Sequence, residues 1–216
     1  MKKILAFIFA LFAAAAFTAC GSAAGTPSSS GSAQPAASDG SMKDKKVLIA
    51  YFSRTGENYA VGNISKGNTH IVADIIGENV KADMFEIKTV KEYPAGYKDA
   101  TEVAKKELEE QARPELQGKV ENMKDYDVIF LGYPIWWSDL PMPVYTFLES
   151  YDFNGKTIIP FMTSAGDYMT GKEDGIAGHA KGAKVLKGIG LEGKRAQDNP
   201  DAIRADVKKW LAGLGF

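Results

Sequence analysis

The chain reads as an α/β protein whose parallel sheet is covered by helices on both faces. Three observations carry that reading. Short apolar runs alternate with segments of helical period through the last four-fifths of the chain. The run Val47–Phe52 is continuously apolar, as a parallel strand buried on both sides must be. Three of the apolar runs open into loops of unusual composition, Ser53-Arg-Thr-Gly-Glu-Asn58, Tyr133-Pro-Ile-Trp-Trp-Ser138 and Thr163-Ser-Ala-Gly-Asp167. Strand ends of that kind can build one pocket, because repeated right-handed βα units bring carboxyl ends to the same edge of a sheet.

The elements follow in order. Val47–Phe52 is the first strand. Ile71, Val72, Ile75 and Ile76 fall on one face of the helix after it, beyond an insertion at Tyr59–Gly67. Met84–Ile87 is a short second strand, and Asp99–Arg113 a charged helix with Val103, Ala104 and Leu108 as its inner stripe. Val128–Gly132 is the third strand, followed by a helix with Val144, Phe147, Leu148 and Tyr151 on its apolar face. Thr157–Thr163 is the fourth strand, although Pro160 removes a ladder donor there. Between Thr163 and Lys184 five glycines interrupt any helix, which predicts a long loop with at most a short helix near Ala177. Lys184–Leu191 supplies the fifth strand. Asn199-Pro200 starts the last helix, Asn as cap and Pro at the first helical position, with Ile203, Val207, Trp210 and Leu214 facing inward.

The first 44 residues are of another kind. Lys2 and Lys3 precede an apolar stretch from Ile4 to Ala16, too short to span a bilayer but suited to a secretory signal. Phe17-Thr-Ala-Cys20 resembles a bacterial lipobox, with Phe17 where leucine is usual. Cys20 is the sole cysteine, so no internal disulfide can form, and its place at the end of the signal core marks it as a lipid anchor. Gly21 to about Asp44 is Gly, Ser, Ala and Pro with almost no large apolar residue. Such a segment cannot bury enough surface to fold and predicts a disordered tether reaching roughly 25–30 Å. The expected organisation is a signal at 1–19, anchor and linker at 20–44, and a folded domain at 45–216. Loss of the signal removes two of the 26 basic residues and none of the 27 acidic ones, leaving a net charge of −3. That mild acidity argues against nucleic-acid binding. The expected location is the cell envelope, outside the cytoplasm, with the membrane touched only through the lipid.

The first loop combines hydroxyls and backbone N–H groups at a helix start, which suits a phosphate. Gly56 lets the backbone close, and Arg54 adds charge. A turn rich in Ser and Thr also caps helices without holding anything, and paired tryptophans are equally at home in a core. Both readings stand at this point.

On these motifs the sequence resembles the flavodoxins. Ser53-Arg-Thr55-Gly56-Glu-Asn58 matches the start of their Ser/Thr-x-Thr-Gly-x-Thr loop, and Asn68-Thr69 looks like its close, displaced by the insertion. The resemblance implies a doubly wound, five-stranded parallel sheet in the order 2-1-3-4-5, with FMN across the ends of the first, third and fourth strands. It implies cofactor contacts from Ser53, Arg54, Thr55, Gly56, Asn58, Asn68 and Thr69 on the phosphate side. Pro134, Ile135, Trp136 and Trp137 would form an aromatic wall for the isoalloxazine. Thr163, Ser164, Ala165, Gly166 and Asp167 would line its pyrimidine edge. Many flavodoxins carry a glycine near the flavin N5. Ile135–Ser138 has none, so the one-electron behaviour is expected to differ. Asp174–Ala180 faintly resembles a covalent flavin-attachment motif but lacks its acceptor hydroxyl, which implies non-covalent FMN.

Three functions follow. The first is an electron-transfer flavoprotein, with a redox protein or quinone-like acceptor as partner and no catalytic side chain. The second is an NAD(P)H-dependent, quinone-reductase-type enzyme, for which the insertion at 59–67 would shape a substrate pocket. The third is a surface binding module that kept the fold and lost the flavin. His70 reads as a surface residue at a helix start, and His179 as a loop residue without a carboxylate or cysteine partner, so no metal site is expected.

Overall fold

A computed structural model describes residues 42–166 and 172–216. The expected signal, Cys20 and most of the expected tether lie outside the described residues, as does Asp167. The tether was expected to run to residue 44. Instead Met42–Asp44 forms a 3₁₀ turn, and Met42 is buried against the sheet.

The elements are β1 (Val47–Tyr51), β2 (Gly56–Asn58), β3 (Gly62–Ile64), α1 (Asn68–Asn79), β4 (Ala82–Glu86), α2 (Tyr97–Glu109), β5 (Val128–Pro134), α3 (Met142–Glu149), β6 (Thr157–Ser164), α4 (Glu173–His179), β7 (Lys184–Val185), β8 (Ile189–Glu192), α5 (Gly193–Asp198) and α6 (Pro200–Leu214). The main sheet is parallel, in the order β4-β1-β5-β6, with β7 and β8 both on the far side of β6. Counting β7 and β8 as the two halves of one fifth strand, this is the expected 2-1-3-4-5 arrangement.

Alternation along the strands divides the core into two. Val47, Ile49 and Tyr51 of β1 join Val128 and Phe130 of β5 under α1, α5 and α6. Leu48 and Ala50 join Ile129, Leu131 and Tyr133 under α3 and α4. The continuous apolar run of β1 is therefore explained residue by residue: both faces are covered. Gly132 is required where β5 meets β6, because a Cβ there would lie 2.1 Å from Cζ of Phe161.

Pro160 accounts for the split fifth strand. The N–H of Thr157 points to β5, donating to Asp127 O, while the carbonyls of Lys156 and Ile158 point the other way, accepting from Lys184 and Leu186 N. The missing donor of Pro160 thus faces the fifth strand. There the ladder breaks: Gly188 presses on the Pro160 carbonyl, and its N–H turns to Glu173 Oε1 at 3.0 Å instead. A proline is tolerated in an inner strand because its neighbour bulges away.

Other expectations shift by a few residues. β4 begins two residues before Met84, and α2 spans Tyr97–Glu109 rather than Asp99–Arg113, with Ala100 and Ala104 as its buried stripe and Val103 and Leu108 only half-buried. The short helix near Ala177 is α4. Asn199 caps α6, its side chain accepting from Ala202 N at 3.2 Å. Two elements were not foreseen. The expected 59–67 insertion begins earlier, as the β2–β3 hairpin, and α5 lies between the fifth strand and α6. Among the described residues no helix is long and apolar enough to cross a membrane.

Candidate functional site

The carboxyl ends of β1, β5 and β6 open onto one cavity of about 350 Å³. Ten of the residues singled out above line it: Arg54, Asn58, Asn68, Pro134, Ile135, Trp136, Trp137, Thr163, Ser164 and Ala165. Ser53, Thr55, Gly56, Thr69 and Gly166 are not among the lining residues. Ser53, Gly56 and Thr69 shape it through their contacts with the first loop, α1 and β6.

The first loop is held shut by its own polar groups. Ser53 Oγ accepts from His70 N at 3.1 Å, capping α1 from outside the helix. That approach needs Gly67, since a Cβ at Gly67 would sit 2.1 Å from Ser53 Oγ and 2.7 Å from Arg54 O. Asn58 Nδ2 donates to Arg54 O (3.3 Å) and Gly56 O (3.1 Å). Gly56 has φ +80° and leaves no room for a Cβ beside Ala95 O. Thr69 is buried and shares a 2.8 Å hydrogen bond with Thr163, which ties the start of α1 to the end of β6.

Arg54 does something the motif did not suggest. Its Nη1 donates to Pro94 O (2.9 Å) and Ala95 O (3.1 Å), and its Nη2 to Glu57 O. The guanidinium is a strut between the first loop and the segment ahead of α2, and burial lowers its pKa.

The two tryptophans divide. Trp136 is half-buried and meets Phe52 and Tyr93 edge-on, with ring centroids 5.2 and 5.0 Å away. Trp137 is 51% exposed, and its Nε1 donates to Thr101 O of α2 at 3.1 Å. Trp136 and Asp139 exchange both backbone hydrogen bonds at 2.9 Å around Trp137 and Ser138, whose φ values are +50° and +61°. Two left-handed residues inside a two-residue loop make a type I′ turn, here without glycine. Tyr133 turns away, its ring wholly buried under α4. Asp139 secures the turn by accepting from Leu140 N (2.8 Å) and Tyr145 Oη (2.9 Å), with Lys172 Nζ 3.5 Å away.

The remaining walls were not named as flavin contacts: Tyr59 and Ala60 at the β2–β3 turn, within the insertion expected to shape a substrate pocket, Tyr97, Ala100, Thr101 and Ala104 on α2, and Lys194 on α5. Of these α2 residues the inner stripe read from the sequence held Ala104 alone, and nothing local said that it faces this cavity. Lys194 had no signal, because α5 was not foreseen.

His179 corrects an expectation. It ends α4 and its Nδ1 lies 2.8 Å from Glu149 Oε1, so it does have a carboxylate partner. Arg113 binds the same carboxylate at 2.7 and 2.8 Å and, with His179, holds it down to about 2. His70 is half-buried against Tyr51, with ring centroids 4.9 Å apart, rather than a plain surface residue. No group of three metal-ligating side chains is present among the described residues.

The donor set fits a flavin mononucleotide. Arg54 and Lys194 are the charged residues among the described lining, and no carboxylate accompanies them, which suits an anion. Pro134, Ile135, Trp136, Trp137 and the alanines of α2 give apolar walls for a tricycle. A loop closed on the start of a 12-residue helix suits the phosphate.

Fold and cavity together define a doubly wound α/β protein with a nucleotide-type site at the switch point of its sheet. Residues 46–212 match the flavodoxin family, and the chain belongs to that family, whose cofactor is FMN. A Bacteroides uniformis protein provisionally described as a flavoprotein is 32% identical over 78% of this chain and 98% of its own, with a TM-score of 0.61. A protein of the same description from Bacteroides eggerthii is 28% identical over 80% and 99%, with a TM-score of 0.59. A Lactobacillus acidophilus flavoprotein solved in complex with FMN is 23% identical over 77% and 99%, with a TM-score of 0.53, a likeness of fold. No curated protein matches the chain.

Proposed function

We propose that this protein is an FMN-binding electron-transfer flavoprotein held at the cell envelope, outside the cytoplasm, by a lipid on Cys20. One observation carries the redox part. The described lining holds two cations and an aromatic wall but no His, Cys, Asp or Glu, so it offers an anionic flavin a seat with no carboxylate, imidazole or thiol beside it. FMN, when bound, supplies one- and two-electron transfer. The chain's own part is to bind and orient. The first loop and the start of α1 hold the phosphate end, Pro134–Trp137 and Thr163–Ala165 flank the ring, and the Trp136–Asp139 turn fixes the wall beside it. A redox protein or a quinone-like acceptor takes the electrons.

A second reading, a reductase fed by NADH or NADPH, draws on the open side of the cavity. Tyr59 and Tyr97, 62% and 38% exposed, stand at its mouth with Trp137 and would admit a second planar molecule.

The test is a spectrum of the full chain with added FMN, followed by reductant. A yellow complex bleached by a partner reductase supports the carrier. Bleaching by NADH or NADPH alone supports the reductase. A protein that stays colourless with excess FMN overturns both and favours a flavin-free binding module. The anchor is tested separately: Cys20→Ser should move the protein from the detergent phase to the aqueous phase, and no change would refute lipidation.

A further inference from the structure

We propose that Lys194 supplies the mobile positive charge for the phosphate of the flavin nucleotide, and so selects FMN over riboflavin. The inference rests on the FMN reading above and names a residue outside the three strand-end loops.

Two cations line the cavity, and they are not equivalent. Arg54 is already committed to the carbonyls of Pro94, Ala95 and Glu57, three partners that also fix the first loop. Turning it towards a ligand would release that loop. Among the described residues Lys194 is hydrogen-bonded to Asp198, one helical turn along α5, with both side chains about half exposed, and Glu192 adds a weaker attraction. An exposed pair of this spacing contributes little, so breaking it costs little. The ammonium on its long stem can leave Asp198 for a stronger anion.

The position of α5 is built rather than incidental. Gly193 packs on the first residue of α1 so closely that a Cβ would lie 2.4 Å from Asn68 Nδ2. Gln197 Nε2 donates to Asn68 Oδ1 and to Lys66 O, each at 2.8 Å. These contacts pin α5 across the start of α1 and leave Lys194, the next residue after Gly193, on the cavity rim beside Asn68. The start of α1 is where a phosphate gains most from the helix dipole and the hydroxyl loop. A cation delivered there by α5 completes an anion site whose other charged residue is already in use. Riboflavin has the same ring and ribityl chain but no phosphate, so it gains nothing from Lys194.

The experiment measures binding of FMN and of riboflavin to the full chain by quenching of flavin fluorescence, at low and high salt. Lys194→Gln should raise the Kd for FMN about tenfold, in line with loss of a partly exposed charge-assisted hydrogen bond. It should flatten the salt dependence of FMN binding and leave riboflavin binding within twofold. Lys194→Arg should keep FMN within about threefold, and Asp198→Asn should tighten FMN alone. An FMN Kd unchanged in Lys194→Gln, or an equal loss for both flavins, overturns the assignment while the FMN reading stands. Failure of the unmutated chain to bind either flavin overturns that reading and this one with it.

Discussion

Gly67→Ala tests the architecture of the phosphate loop most directly. The backbone at Gly67, φ −69° and ψ 153°, is open to any residue, so the effect is steric alone. The new methyl would stand 2.1 Å from Ser53 Oγ, 2.7 Å from Arg54 O and 3.1 Å from Arg54 N. Rotating Ser53 relieves the first contact but surrenders its bond to His70 N, a cap worth about 1 kcal/mol. The other two are to backbone and require the loop to move, at about 1–3 kcal/mol for overpacking. Destabilisation of about 2–4 kcal/mol should lower Tm by about 4–16 °C in a domain of this size. The displaced loop should also lose at least one hydrogen bond to the FMN phosphate, weakening binding about 10- to 150-fold. Calorimetry and flavin fluorescence read the two effects. Adding Ser53→Ala removes the Oγ contact but not the backbone ones, so Gly67→Ala should cost about 1 kcal/mol less in that background. A Tm within 1 °C of the parent, together with unchanged FMN affinity (~1-fold), would show that this loop does not close as described.

Other expectations follow from the same contacts. Thr163→Val strands the buried Thr69 hydroxyl and should cost about 1–3 kcal/mol, whereas Thr69→Val with Thr163→Val should recover part of it; denaturant unfolding of the three variants decides, and strict additivity would refute the pairing. Trp136→Ala removes a wall braced by Phe52 and Tyr93 and should weaken FMN at least tenfold, roughly the worth of an aromatic contact, measured by titration; unchanged affinity would place the ring elsewhere. For pH, Glu149 is depressed to about 2 by Arg113 first and His179 after it, so its contribution is present above its unfolded value and is lost as pH falls from about 4.5 towards 2. With the side chain 38% exposed, solvent screens most of this. Glu149→Gln should therefore flatten the acid limb of an unfolding titration only slightly, and a steeper limb would reverse the sign argued here.

Much of the site was legible because its signals are local. A continuous apolar run, a hydroxyl loop beginning at Ser53 and two adjacent tryptophans after a strand each announce themselves within a few residues. The insertion before Asn68 was legible as an insertion, but its pairing as a hairpin was not, since Gly56–Asn58 carries no strand pattern; it pairs with Gly62–Ile64, and Glu57 N ties it to Ala95 O at 2.8 Å. His179 looked partnerless because Glu149 lies 30 positions away in the chain.

The order of strands and helices, and the three loops that meet at the sheet's switch point, were determined by the sequence itself, because periods of 2 and 3.6 and turn chemistry act over short stretches. The tertiary structure decided what those loops are attached to. It bent the fifth strand away from Pro160, drew Arg54 to the Pro94 and Ala95 carbonyls, and laid α5 across Asn68 so that Lys194 faces the cavity. Each depends on a close approach between segments distant in the chain, where the available space and the nearest carbonyl choose the partner, and no local pattern encodes either.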